Sequence, residues 1–175
     1  MNCGNVEVIR VADRLTCGNI PALAQQFVGS LACAAVAVSS DLDHALRMGE
    51  LLVAVMDRET GCKNIEVHED GHGHGIFGDD DRYHGPFCAL RLPNGKRAVM
   101  DPTMAAVYSA TLLQTLLDHF KGAEKPALAA YNGGIGHVED ALLHGQDVDV
   151  CTTGKNYGAD VLARAARFFP TPAGI

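Results

Sequence analysis

The sequence predicts a mainly α-helical domain, of an α+β kind, in which helices surround one buried helix and a small β-hairpin lies beside a cleft. Apolar residues at 42–56 cover nearly the whole circumference of a helix, and a helix that is apolar on every side is buried. The glycine density of residues 60–84 is incompatible with a helix. Amphipathic segments with capping residues follow from residue 101 onward. These three observations place residues 42–59 at the centre of the fold.

Length and composition favour one soluble domain. The chain has 175 residues, of which 47% are hydrophobic and 20% are charged. The net charge of −7 argues against nucleic acid as the main partner, because phosphate binding requires clustered Lys and Arg. The apolar run at 27–38, about 12 residues long, is too short to span a bilayer, so we expect no membrane insertion. The first residues lack the basic and apolar regions of a signal peptide. We expect a monomer.

The N-terminal part predicts an arm followed by two helices. Residues 1–18 are interpreted as an arm with a short strand at 6–11. Pro21 suits the first turn of a helix that continues to about residue 38. Asp41, with the two serines before it, supplies N-cap candidates for the central helix. Residues 1–41 are expected to belong to the same domain as the rest of the chain.

The C-terminal part predicts a hairpin and four more helices. The turn sequence Pro-Asn-Gly at 93–95 lies between two candidate strands, 87–92 and 96–100. Asp101-Pro102 is a typical helix start, and Gly122 marks the end of that helix. The remaining helices are predicted at 127–130, 135–144 and about 155–169, and the tail 171–175 is expected to be loose.

Six cysteines leave the redox state open. None lies in a Cys-x-x-Cys pair, which argues against a zinc ribbon. We slightly favour free thiols, because a chain of this size can be stable without disulfides. A bridge between Cys62 and Cys88, which flank the predicted cleft, is the alternative that would brace it.

Glu59 is the first candidate catalytic residue. It follows the apolar helix, where partial desolvation raises the pKa of a carboxyl group. A negative charge at a helix C-terminus is unfavourable, so the position is not chosen for stability. Further carboxylates follow at Glu66, Glu69, Asp70 and 79–81. A protonated acid that faces an ionised carboxylate is the arrangement that glycoside hydrolysis requires.

A metal site is the competing interpretation of the same stretch. Histidines at 68, 72, 74 and 84, with the aspartates at 79–81, form a set of residue types that bind zinc. The sequence has no His-Glu-x-x-His spacing on a helix, so we expect no metal and no cofactor. The Gly-His-Gly-His-Gly turn also lacks the Lys-Ser/Thr of a phosphate-binding loop.

Three blocks, in this order, carry a resemblance to a known family. They are Asp-Arg-Glu-Thr-Gly at 57–61, Gly-His-Gly-His-Gly-Ile-Phe at 71–77 with Asp80, and Ala-Tyr-Asn-Gly-Gly-Ile-Gly-His-Val at 130–138. Residues 42–169 thereby resemble the goose-type lysozymes and, more distantly, the soluble lytic transglycosylases. The resemblance implies a lysozyme-like catalytic domain at 42–170. It also implies peptidoglycan glycan strands as the partner, cleaved between N-acetylmuramic acid and N-acetylglucosamine.

The resemblance also implies roles for individual residues. Glu59 matches the general acid, and Asp80 matches a carboxylate that positions the attacking water. Glu69 matches a second such acid, a role that the adjacent Asp70 could take. The residues that would line the sugar sites are His74, Ile76, Tyr131, Asn132 and Gly133. With several carboxylates available, the first hypothesis is an inverting muramidase.

Two other functions remain open. A lytic transglycosylase of this fold needs only the acid, because the hydroxyl of the sugar attacks and gives a 1,6-anhydro product. A non-catalytic glycan-binding or virion domain is the third hypothesis, because Phe77-Gly78 replaces the Met-Gln of the family and removes an amide from the cleft. The protein is expected to act on the bacterial wall. A phage lysin, a virion-borne enzyme or an enzyme delivered by another route would each fit.

Overall fold

A computed structural model describes residues 6–170 of the chain. Within that range it has eight α-helices and one two-stranded antiparallel hairpin, so the predicted mainly helical class is confirmed. The elements are α1 (Val6–Thr16), α2 (Val28–Val38), α3 (Leu42–Thr60), β1 (Gly73–His74), β2 (Asp79–Asp80), α4 (Asp81–Ala89), α5 (Pro102–His119), α6 (Glu124–Gly133), α7 (Ile135–Leu143) and α8 (Tyr157–Phe168). Short 3-10 turns lie at Ala22–Phe27, Ala98–Met100, Val148–Cys151 and Thr153–Lys155.

Helix α3 is the central buried helix that the sequence predicts. Asp41 caps it, because its carboxylate accepts from the backbone N–H of His44 at 2.9 Å. The side chains at 51–56 are at most 1% exposed, and α3 packs against α1, α2, α5 and α8. The helix ends at Gly61, whose φ of +60° is the left-handed conformation of a helix C-terminus. The buried helix therefore places Glu59 at a fixed position at the edge of the core.

The prediction of a strand at 6–11 is wrong, because these residues lie in α1. Val8, Val11 and Leu15 are buried on one face of that helix, against α2 and α3. Their spacing of three and four residues is the helical period. The predicted strand stopped at residue 11 and so left out Leu15, which completes the buried face of the helix. The predictions for residues 1–5 and 171–175 lie outside the described residues.

The hairpin predicted at 87–100 is also wrong, since the small hairpin of this protein lies earlier in the chain. In it, β1 pairs with β2 in the register Gly73 to Asp80 and His74 to Asp79. The first predicted strand overlaps α4, and the second overlaps a 3-10 turn. A kink at His84 in α4 lets Pro86 follow within the helix. A single bridge, Arg91 to Arg97, closes the predicted Pro-Asn-Gly turn.

The cysteines divide between the two predicted states. Cys33 is disulfide-bonded, whereas Cys17, Cys62, Cys88 and Cys151 are free thiols. The alternative of a bridge between Cys62 and Cys88 is therefore wrong. Burial raises the pKa of the Cys62 thiol to about 12 and that of Cys88 to about 11, so both are poor nucleophiles.

Of the helices described between residues 6 and 170, none combines the length and apolar character needed to cross a bilayer.

Candidate active site

A cleft of about 950 Å³ opens beside the end of α3. The hairpin and α4 form one wall, and α6 with the start of α8 forms the other. The lining includes both charged and apolar side chains. Its residues include Arg58, Glu59, His68, Asp70, Phe77, Gly78, Asp79, Asp80, Arg82, Tyr83, His84, Leu112, Leu116, Tyr131, Asn132, Gly133, Thr153 and Tyr157. A groove of this size, with polar groups clustered near one end of the central helix, is suited to an extended polar ligand.

Glu59 lies in the last turn of α3, in the wall of the cleft. Burial raises the pKa of its carboxyl group, and three groups partly oppose that rise. The Tyr157 hydroxyl donates a hydrogen bond to Oε1, and the positive charges of Arg58 and His68 favour the ionised form. Glu59 therefore keeps a larger protonated fraction at neutral pH than an exposed glutamate does, which suits a general acid.

The position of Tyr157 depends on a buried carboxylate. Asp149 is 2% exposed and accepts from the backbone N–H groups of Gly158 at 2.6 Å and Ala159 at 3.0 Å. These are among the N–H groups of the first turn of α8 that have no partner within the helix. An ionised acceptor at this position is stabilised by the helix dipole. Asp149 thus fixes the start of α8, and with it the hydroxyl that contacts Glu59.

Asp79 is a second buried carboxyl group of the cleft, and its pKa depends on the charge of Glu59. It is 4% exposed, and its Oδ2 has no hydrogen-bond partner within the described residues. Burial raises the pKa of Asp79 to about 7, and the negative charge of Glu59 contributes further to that rise. Asp79 is therefore a buried carboxyl group of the cleft lining, although the resemblance assigned a role only to its neighbour Asp80.

Asp80 has the opposite environment, because successive side chains of a strand point to opposite faces. Its carboxylate binds the guanidinium of Arg82, with Nη2 to Oδ2 at 2.5 Å and Nε to Oδ1 at 3.0 Å. It also caps α4 through the backbone N–H of Arg82, at 2.9 Å. These contacts lower the pKa of Asp80 to about 2. Asp80 lies on the cleft as predicted, and it does so as one half of an ion pair.

The two candidates for the second acid are separated by the structure. Asp70 lines the cleft, accepts from the backbone N–H of His72 at 3.0 Å and lies 3.6 Å from Arg82. Glu69 is exposed and is not part of the cleft lining. Of the two, Asp70 is therefore the carboxylate within reach of a bound ligand.

Two of the predicted sugar-binding residues lie inside the protein. Ile76 is fully buried, and its carbonyl oxygen accepts from the Thr60 hydroxyl at 2.9 Å. His74 is 6% exposed, and its Nδ1 lies 2.5 Å from the carbonyl oxygen of Glu66. Neither side chain lines the cleft, so the structure does not place them where a sugar could be contacted.

The other three predicted sugar-binding residues lie together in the last turn of α6. Tyr131 donates from its hydroxyl to Oγ of Ser109 at 3.1 Å. The side-chain carbonyl of Asn132 accepts from the backbone N–H of Thr153 at 2.8 Å. A Cβ at Gly133 would lie 3.0 Å from the carbonyl oxygen of Cys151, so a larger residue would push the two segments apart. The sequence predicted that this helix ends at residue 130, whereas α6 continues to Gly133.

Sequence reasoning assigned no role to Tyr83 or Arg58, and it considered His84 only as a candidate metal ligand. His84 lies at the kink of α4, with Nδ1 2.8 Å from the hydroxyl of Tyr108, and burial lowers its pKa. Tyr83 is 80% exposed at the same wall. The guanidinium of Arg58 lies 5.6 Å from the ring centroid of Tyr157. Arg82, Tyr83 and His84 follow directly after the three aspartates, and this run of basic and aromatic residues could have predicted that they line the cleft.

Comparison with known families adds a second line of evidence. Residues 84–149 match the family model described as the transglycosylase SLT domain. The match begins within α4 and ends in the 3-10 turn Val148–Cys151, so it includes Tyr131 to Gly133 and excludes Glu59 and the hairpin. None of the curated proteins matches the chain. The match indicates cleavage of peptidoglycan glycan strands, and it favours the transglycosylase hypothesis over the muramidase that we placed first.

Proposed function

We propose that the protein is a lytic transglycosylase that cleaves the β-1,4 bond between N-acetylmuramic acid and N-acetylglucosamine, with Glu59 as its acid and base. The observation that carries the proposal is the environment of Glu59, a buried carboxyl group with a raised pKa in the wall of a cleft of about 950 Å³ that is lined by charged and apolar side chains. The SLT match over residues 84–149 supports the same substrate.

One carboxyl group is sufficient for this reaction. Glu59 donates its proton to the glycosidic oxygen as the bond to C1 of the muramic sugar breaks. The resulting carboxylate then removes the proton from the C6 hydroxyl of that sugar, while O6 forms a bond to C1. The product is a 1,6-anhydro ring, Glu59 is protonated again and no water is consumed. The Tyr157 hydroxyl stabilises the intermediate carboxylate, because a hydrogen bond to the charged form favours it.

The other carboxylates are poorly suited to activating water. Arg82 occupies both carboxylate oxygens of Asp80, and a pKa of about 2 makes that group a weak base. Asp70 is exposed, and its pKa is lowered by the backbone N–H of His72. Asp79 is largely protonated below pH 7, because its pKa is raised to about 7. An internal hydroxyl nucleophile avoids the need for any of them.

The block in α6 provides groups for sugar recognition in this proposal. With its carbonyl oxygen bound to Thr153, Asn132 retains its NH2 group for an acceptor on the sugar. Gly133 exposes backbone beside it in the cleft lining. The Tyr131 ring forms part of the same wall.

Hydrolysis remains the second candidate because of Asp79. Above pH 7 this carboxylate is ionised next to Glu59, and an acid with a neighbouring base is the arrangement of an inverting glycosidase. In that case Asp79 would take the role that the resemblance gives to Asp80. The two reactions give different products from the same substrate.

Digestion of purified sacculi distinguishes the candidates. We expect wild-type protein to release muropeptides with 1,6-anhydro ends, each lighter by one water than the hydrolytic product. Digestion in H2¹⁸O should then introduce no label. Label at the new reducing ends would establish hydrolysis. Binding to sacculi without release of muropeptides by folded protein would favour the non-catalytic hypothesis.

Tyr157→Phe is expected to move the alkaline limb of the pH–rate profile to higher pH. The substitution removes a hydrogen bond that lowers the pKa of Glu59, so the pKa rises further. Since the reaction begins from protonated Glu59, activity should persist to higher pH. The measurement is kcat/KM for sacculus solubilisation between pH 5 and 10. Tyr83→Phe, at an 80% exposed position, is the matched control. A limb that stays in place or moves to lower pH would contradict the role of the hydroxyl.

A further inference from the structure

Two histidines and an aspartate lie together where the hairpin meets the start of α4. His72 and His74 flank Gly73, so they are two residues apart along β1 and its entry, and residues with that spacing share one face of a strand. The carboxylate of Asp81 contacts both imidazole rings. His72 Nδ1 lies 2.8 Å from Oδ1, and His74 Nε2 lies 3.3 Å from Oδ2. The group is thus assembled from β1, the residue before it and the start of α4.

The tautomer of His74 is set by the backbone. Its Nδ1 lies 2.5 Å from the carbonyl oxygen of Glu66, which can only accept, so Nδ1 carries a proton. In neutral imidazole the other nitrogen, Nε2, is then an acceptor. This nitrogen faces Oδ2 of Asp81, which is also an acceptor. A positive species between the two atoms is needed to make the contact favourable, either a proton on Nε2 or a metal cation.

We infer that His72, Asp80 and Asp81 bind a divalent cation of the Zn²⁺ class, and that His74, whose Nε2 lies 3.3 Å from Asp81 Oδ2, completes the ligand set. The set His72, Asp80 and Asp81 offers ligand atoms that all lie within 4.8 Å of one another. Tetrahedral Zn²⁺, with ligands at about 2.0–2.1 Å, separates its ligand atoms by about 3.3 Å. The distances from Asp81 to His72 and to His74, 2.8 Å and 3.3 Å, are close to that value. The hydrogen bond from His74 Nδ1 to a backbone carbonyl is the usual orientation of a zinc-bound histidine.

Imidazole and carboxylate ligands select the type of cation. Two imidazoles with one or two carboxylates suit Zn²⁺, whereas Mg²⁺ and Ca²⁺ prefer oxygen ligands only. Asp80 is already paired with Arg82, so it can join the ligand set only by releasing part of that contact, and water can take its place. This site differs from the expectation of no metal that followed from the missing helical zinc motif.

The cation would hold together the wall of the cleft that faces Glu59. His74 is paired with Asp79 across the hairpin, and Asp81 begins α4. Gly78, in the turn of the same hairpin, lies against Glu59, since a Cβ at Gly78 would be 3.8 Å from Oε2. The proposed role is therefore structural. It does not depend on the reaction proposed above.

The test is a titration of tag-free, EDTA-treated protein with ZnCl2, followed by thermal unfolding and by isothermal calorimetry. We expect one equivalent to bind. The melting temperature should rise by about 5–10 °C when free zinc is 100-fold above Kd. His72→Gln and Asp81→Asn, at half-exposed positions, should remove most of the shift, whereas both variants should remain folded. His119→Gln is the matched control, because His119 forms an exposed histidine–carboxylate pair with Glu139 at 2.9 Å.

Two outcomes would overturn the proposal. One is the absence of any shift at stoichiometric zinc, and the other is a shift of wild-type size in both ligand variants. Nitrogen-15 NMR gives an independent readout at pH 7.5 in the presence of zinc. A proton retained on both ring nitrogens of His74 would identify the positive species as an imidazolium and would exclude the metal. Loss of the Nε2 proton with a metal-bound shift would support it.

Discussion

Glu59→Gln is expected to reduce the rate of sacculus solubilisation by about 10² or more and to leave the protein folded. The amide has the shape of the carboxyl group and cannot donate a proton to the glycosidic oxygen, and loss of a general acid typically costs a factor of this size. The measurement is the initial rate of turbidity loss of purified sacculi, with products weighed to confirm bond cleavage.

The matched control for this substitution is Glu69→Gln, which changes an exposed glutamate outside the cleft lining. It should retain the wild-type rate. Because burial raises the pKa of Glu59, ionising that group in the folded state costs stability as pH rises. The neutral amide of the Glu59→Gln variant avoids that cost, so the variant should unfold at the same temperature as wild type or higher. Near-full activity in Glu59→Gln would remove Glu59 from the mechanism.

Asp79→Asn is expected to stabilise the protein at alkaline pH by up to about 4 kcal/mol. Its pKa is raised from 3.8 to about 7 in the folded state, so the folded protein holds this proton more tightly than the unfolded chain. Wild-type stability from this group is therefore fully present below pH 3.8 and is lost as pH rises through about 7. Asparagine does not titrate, so the variant and wild type should be similar at about pH 4 and differ most at about pH 8. Urea unfolding at the two pH values measures the difference.

Asp80→Asn is the comparison variant, and its expected change in stability is opposite to that of Asp79→Asn. The pKa of Asp80 is lowered to about 2 by Arg82, so its stabilising contribution is present above the unfolded pKa and is lost only as pH falls through about 2. Asp80→Asn should therefore be less stable than wild type at both of those pH values. If Asp79→Asn, like Asp80→Asn, were less stable than wild type at about pH 8, the raised pKa of Asp79 would be excluded.

The helical core was predictable because its signals are local. Apolar residues on every side of 42–56, the cap at Asp41 and the Asp101-Pro102 start correspond to the observed α3 and α5. The hairpin was misplaced because Pro-Asn-Gly at 93–95 is a genuine turn whose flanking segments find other partners. The first of them joins α4, which the kink at His84 makes possible. The side chain of the kinked residue contacts Tyr108, which is 24 positions away, and such a contact is not visible along the chain.

At the site, the sequence predicted the raised pKa of Glu59 and missed the raised pKa of Asp79. Glu59 was predicted from the exit of the apolar helix. Which of three consecutive aspartates faces Glu59 depends on the strand register, Gly73 to Asp80 and His74 to Asp79, and the sequence does not specify it. The contact from Tyr157 joins residues 98 positions apart, and it depends on how α8 packs on α3.

The most direct test of the central claim is the pKa of Glu59 itself. Carbon-13 NMR of protein labelled at the glutamate side-chain carboxyl carbon follows each carboxyl group as pH changes, and the Glu59→Gln variant identifies the resonance. We predict that Glu59 titrates above the ordinary value of 4.5, because burial outweighs the hydrogen bond from Tyr157. A titration at or below 4.5 would mean that Glu59 is ionised in the folded protein at neutral pH. That result would contradict its role as the acid that begins glycan cleavage.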